Sequence, residues 1–194
     1  METLRAKLDL IRRVEDEHRF GVDIREPNAL EPVPGLPDGV TEVFGLFSKL
    51  AGNYFSFVQP AEIAGPDAWE KRGADPDCPL GAPLEIGYER YGMPPEVLED
   101  LEGGAPICLD LLTGEVYYRD PDEYIFFYKH VEVEEIDTVD FAPNAVEFFD
   151  SFVLGPRYPE LVEGVLGPRA VTERDRKGRP RDSWTRLLDA AGLL

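Results

Sequence analysis

The stretch "ICLDLLTGEVYYRD", residues 107–120, decides how the chain is read. Ile107, Leu109 and Leu111 alternate with Cys108 and Asp110, the period of two that a half-buried strand requires. Thr113-Gly114 interrupts the run, and Val116-Tyr117-Tyr118 resumes it. Gly114 can take the left-handed conformation that a three-residue hairpin loop with a bulge needs. The stretch therefore predicts a β-hairpin, with Asp110 in its first strand and Asp120 at the end of its second. Two carboxylates so placed raise the question of general acid–base chemistry.

Upstream, residues 2–19 predict a helix with Leu4, Leu8, Ile11 and Val14 on one face and Gly21 as its stop. Residues 25–39 are dense in Pro and Gly and read as a loop. A second helix is expected over 38–50, with Asp38 as N-cap, a stripe of Val40, Val43, Phe44, Phe47 and Leu50, and Gly52-Asn53 as its stop. Strands are expected at 54–58 and 84–88, with a turn of helix leading to Trp69 between them. Residues 93–104 read as a short helical or turn-rich link. Downstream, 124–129 and 130–136 read as strands, and 143–155 as a helix that buries Val146, Phe149, Phe152 and Val153. A short helix should follow at about 158–167. The order is helix, helix, several strands of antiparallel character, then helix. That is an α+β pattern with a mainly antiparallel sheet flanked by helices. Residues 1–166 are expected to form one α+β domain. Residues 167–194 read as a basic linker and a C-terminal helical tail, in which Trp184, Leu187 and Leu188 dock on a surface.

Charge bounds the function. The chain of 194 residues has a net charge of -19. Residues 167–194 hold 7 Lys and Arg against 4 Asp and Glu, so the acidity lies in the rest. Such a body does not suit phosphate-backbone binding, which needs Lys and Arg. It suits a basic protein partner, whose encounter its field would accelerate. The charged N-terminus has no apolar signal region and no apolar run spans a bilayer, so a cytoplasmic protein that binds neither nucleic acid nor membrane is expected. Cys78 and Cys108 are read as free thiols.

Catalytic motifs are not found. His18 and His130 belong to no zinc-type cluster, and the chain carries no P-loop, G-x-G-x-x-G or G-x-S-x-G. Asp120, Asp122 and Glu123 lack the spacing and turn glycine of a calcium loop, so neither a metal nor a cofactor is expected. In 130–136, Val131 and Val133 alternate with Glu132 and Glu134, and Glu135 follows. That acidic face is either a solvated sheet face or a surface for a basic partner.

The order of parts from about 36 to 155 resembles the SUKH superfamily, the Smi/Knr-like fold of bacterial immunity proteins. "LPDG" followed by an apolar helix to "LAGNYF" is similar to the family's Leu-Pro helix and its Gly- or Asn-containing turn. "PAEIAGPDAWEK" is similar to its segment leading to a Trp. The Leu-Asp and Thr-Gly-Glu-Val-Tyr of the hairpin resemble its central strands, and "PNAVEFFDSFVLG" resembles its closing helix. The resemblance implies a non-catalytic binding protein that neutralises a nuclease or deaminase toxin, or else a regulatory or scaffold domain with housekeeping partners. It also implies that Asp110 matches the Asp preceding the family's hairpin. The expected partner surface is Asp110, Tyr117, Asp120, Asp122, Glu123, Glu132, Glu134 and Glu135.

Overall fold

A computed structural model describes residues 1–92, 104–119 and 138–194 of the chain. Among these residues the protein is α+β, a seven-stranded antiparallel sheet with seven α-helices packed against it. The elements run α1 (Glu2–His18), β1 (Asp23–Arg25), α2 (Val40–Phe44), β2 (Lys49–Ala51), β3 (Phe55–Val58), α3 (Pro66–Ala74), β4 (Leu84–Glu89), β5 (Pro106–Leu109), β6 (Val116–Tyr118) and β7 (Val139–Ala142). They close with α4 (Ala145–Glu147), a π-helical segment (Phe148–Val153), α5 (Tyr158–Leu166), α6 (Pro168–Thr172) and α7 (Ser183–Ala190). The strands pair in sequence order, each antiparallel to the next.

The hairpin forms, but its first strand stops at Leu109, so Asp110 lies in the loop rather than in the strand, and residues 110–115 separate the last pair, Leu109 and Val116. Ile107, Cys108 and Leu109 pair with Tyr118, Tyr117 and Val116. Gly114 has φ of 82°, a conformation in which a Cβ would be strained, and its N–H donates to Asp110 O at 2.9 Å. The expected strands at 124–129 and 130–136, and the link over 93–103, lie outside the described residues.

One face of the sheet builds the core. The register sets Leu50, Phe57, Gly87, Ile107 and Tyr118 in one row across β2 to β6. Against that face pack Phe44, Phe47, Phe148, Phe149 and Phe152, all of them fully buried. Asn144 caps α4 by accepting from Glu147 N, so the cap falls one residue after Pro143. Leu154 N then donates to Phe149 O, an i→i+5 closure. The wider turn buries Phe148, Phe149, Phe152 and Val153 together, whereas Val146 stays half-buried.

Three local expectations are corrected. α1 ends at Arg19, which sits at φ 53° and donates its N–H to Glu15 O. The Glu15 carboxylate takes the next three N–H groups, of Phe20, Gly21 and Val22. The second helix begins after Gly39 and stops at Phe44, because Lys49, Leu50 and Ala51 pair as β2. An apolar stripe at helical spacing thus crosses from a short helix into a strand. Gly52-Asn53 is consequently the turn of the β2–β3 hairpin.

That turn fastens the C-terminal segment. Asn53 Oδ1 accepts from Ser183 N at 2.6 Å and from Ser183 Oγ at 2.9 Å. Asn53 Nδ2 donates to Arg181 O at 3.3 Å. A Cβ on Gly52 would lie 3.2 Å from Ser183 Oγ and 3.3 Å from Trp184 Cβ, so the close approach depends on the missing side chain. Asp182 caps α7, accepting from the N–H groups of Trp184 and Thr185. Trp184, Leu187 and Leu188 are buried in the same core cluster as the sheet residues. Residues 167–194 are therefore not an appendage to the packing. The expected docking of Trp184, Leu187 and Leu188 is joined by buried Ala170 and by partly buried Val171, Ala191 and Leu193.

Candidate functional site

The hairpin divides its own side chains between core and surface. Asp110 is committed locally: its Oδ1 accepts from the N–H groups of Leu112 and Thr113, both at 2.7 Å. This Asx turn shapes the loop and places the Leu112 side chain in solvent, 89% exposed. Its predicted partner in a carboxylate pair, Asp120, lies outside the described residues, as do Asp122, Glu123, His130, Glu132, Glu134 and Glu135.

Tyr117 is on the sheet face away from the phenylalanines. The register continues from it in both directions. Tyr117 pairs with Cys108 on β5, and Cys108 with Glu85 on β4. On the other side Tyr117 pairs with Asp140 on β7. Asp140, Tyr117, Cys108 and Glu85 thus form one row across four strands. The two ends are exposed carboxylates, Tyr117 is half-buried and Cys108 is buried. Tyr88 donates its hydroxyl to Glu85 Oε2 at 2.8 Å, and Thr138 donates to Asp140 Oδ1 at 2.9 Å, so both acids are oriented by neighbours. Burial, and after it the neighbouring Cys108, raises the pKa of Tyr117. The phenol therefore stays neutral, a flat amphipathic surface between two negative charges.

Burial, reinforced by Glu85, pushes the Cys108 thiol up to about 11. A thiol so protonated and enclosed is a poor nucleophile. Cys78 is only half-buried. One thiol per chain should therefore react with a disulfide reagent at pH 8 under native conditions, and two in denaturant. Two fast thiols in the native protein would contradict this assignment of Cys108.

Elsewhere, His18 closes α1 with its ring 5.6 Å from that of Phe20, and no cluster of three His, Cys, Asp or Glu suited to a metal occurs among the described residues. None of the described helices is long and apolar enough to cross a membrane. A polar network joins the C-terminal segment to the sheet: Tyr54 and Tyr91 both donate to Glu173 Oε2, and Arg181 pairs with Glu173 Oε1 at 2.7 Å.

Sequence reasoning found Tyr117 but missed Glu85 and Asp140. A signal existed for both: each is an acid between two apolar residues, in "LEI" and in "VDF". Only the register brings them into line with Tyr117. Comparison with protein-family models, with curated proteins and with solved structures found no match.

Proposed function

We propose that this chain is a SUKH-like immunity protein, a non-catalytic binding protein that captures and blocks a basic, nuclease-like toxin. The observation that carries the reading is the row Asp140–Tyr117–Cys108–Glu85. It sets an aromatic side chain between exposed carboxylates on a rigid sheet, the composition that suits an aromatic anchor with an electrostatically complementary rim. The sequence around it has the same sign: segments 93–103 and 120–137 hold eleven acidic residues and one Lys. A toxin that grips nucleic acid presents Lys and Arg at its cleft. An acidic protein would be steered to that cleft and would occlude it. The partner residues proposed are Tyr117, Glu85 and Asp140, together with the acids of 120–135.

The test is capture from lysate of the source cells with the purified protein as bait at low salt. One basic partner is expected, released as salt rises to about 0.5 M because screening shortens the range of the attraction. Glu85→Lys with Asp140→Lys should retain the far-UV spectrum and slow association by about 10-fold or more. Undiminished capture by that double variant removes the row from the interface. Several unrelated partners, none of them basic, would replace the immunity reading with a regulatory domain.

A further inference from the structure

A second site lies at the opposite end of the sheet, where β1 and β2 meet the β2–β3 turn. The β1–β2 register sets Arg25 directly opposite Lys49. Two like charges in that position repel unless something neutralises them. Asp23, two residues before Arg25 on the same face, supplies one carboxylate to both. Arg25 Nη2 is 2.7 Å and Lys49 Nζ 3.5 Å from Asp23 Oδ2, and Arg25 Nε lies 3.0 Å from Oδ1. Arg25 thus spends its side-on edge on Asp23, which leaves the end-on pair of N–H groups for another acceptor. At 3.5 Å the Lys49 ammonium is within ion-pair range but beyond a good hydrogen bond, so its donors are under-used.

These groups line an open cavity of about 560 Å³, together with Gly21, Gly52, Asn53 and Arg90. That volume is of the order of small-molecule sites, roughly 300–1,000 Å³. Gly21 and Gly52 contribute no side chain to the lining. Asn53 is held by Ser183 and Arg181, so this part of the lining is fixed. Even without counting Arg90, Arg25 and Lys49 outnumber the carboxylate they share. In a chain with 20 basic and 39 acidic residues, paired cations around a cavity stand against the prevailing sign.

We infer that this cavity binds a small phosphate-bearing anion, held by the end-on edge of Arg25 and the Lys49 ammonium. An Arg fork beside a Lys point charge is the donor set that a phosphate oxygen triad accepts. The volume beyond the two cations leaves room for the organic part of a phosphate monoester. The site is separate from the Tyr117 row and does not depend on the partner proposed there.

Isothermal titration calorimetry at low ionic strength, with inorganic phosphate and with AMP as probes, tests this. Saturable one-to-one binding is expected, and tighter binding of AMP than of phosphate would show that an ester is the fitted form. Lys49→Gln should weaken affinity about 10-fold, the loss of one charge-assisted contact. Asp23→Asn should act oppositely and tighten it, because the competing carboxylate is gone while the cations remain. Arg157→Gln, at a cation outside the cavity, serves as the control and should change nothing. Absence of saturable heat with either probe up to about 10 mM overturns the inference. Binding that ignores both Lys49→Gln and Asp23→Asn does so as well.

Discussion

Removal of residues 183–194 is expected to leave a chain with no cooperative unfolding transition. The segment contributes Trp184, Leu187 and Leu188, each at most 3% exposed, to the hydrophobic core cluster. Full burial of such side chains stabilises by about 1.5–3 kcal/mol each. Truncation also uncovers the α1 surface on which α7 packs, and it frees the Asn53 turn from Ser183. A domain holds about 5–15 kcal/mol in total, so these losses consume most of it. Urea denaturation followed by far-UV circular dichroism reads the outcome. A truncated chain with the full-length midpoint would show that α7 contributes nothing to the domain. Finer substitutions divide the effect. Trp184→Ala should destabilise by about 3–5 kcal/mol. Trp184→Phe should retain much of the packing but lose the 2.8 Å hydrogen bond from the indole N–H to Val153 O.

Phe149→Ala is expected to destabilise by a similar margin, about 3–5 kcal/mol. Phe149 is fully buried, and its ring meets those of Phe44, Phe47, Phe57 and Phe148 at centroid distances of 5.1–5.6 Å. Those four rings come from α2, the residues after it, β3 and the π-helical segment, so the side chain ties together parts remote in sequence. Neighbours supported from so many sides cannot collapse readily into the vacated volume, which places the cost toward the upper end. Phe149→Leu should lose clearly less, because it retains most of the apolar volume. Midpoints from thermal and urea unfolding separate the two variants. Equal stability of Phe149→Ala and the parent would mean that the aromatic cluster is not a structural keystone.

Both effects act through contacts whose sequence signals differ sharply in strength. The helix at 2–18, the hairpin at 107–118 and the apolar closing segment at 145–153 were legible from periodicity, because burial on one face imposes a period of 3.6 or 2 directly on the residues. The stripe from Val40 to Leu50 misled, since the same spacing served a five-residue helix and then a strand. Periodicity cannot see strand pairing, and Leu50 belongs to the sheet only because Phe57 is opposite it. β1 was hidden for the same reason: three residues, "DIR", carry no periodic signal of their own.

The candidate sites divide likewise. Asp110 and Tyr117 were visible in the hairpin; the role of Asp110 as an Asx turn follows from its position two and three residues before the N–H groups it accepts. Glu85 and Asp140, 55 residues apart, become neighbours of Tyr117's row only through the register of β4 to β7. The pairing of Arg25 with Lys49 is equally a matter of register.

By itself, then, the sequence determined the α+β class, the hairpin, the faces of the long helix and the sign of the charge, all of which follow from local spacing and composition. Only the tertiary structure decided that the C-terminal helix belongs to the core, that Gly52-Asn53 is a hairpin turn gripping Ser183, and that Asp23, Arg25 and Lys49 surround a cavity. These depend on which distant segments meet. The free energy of such meetings resides in pairing register and side-chain packing across the fold, not in the preference of any one stretch for its own conformation.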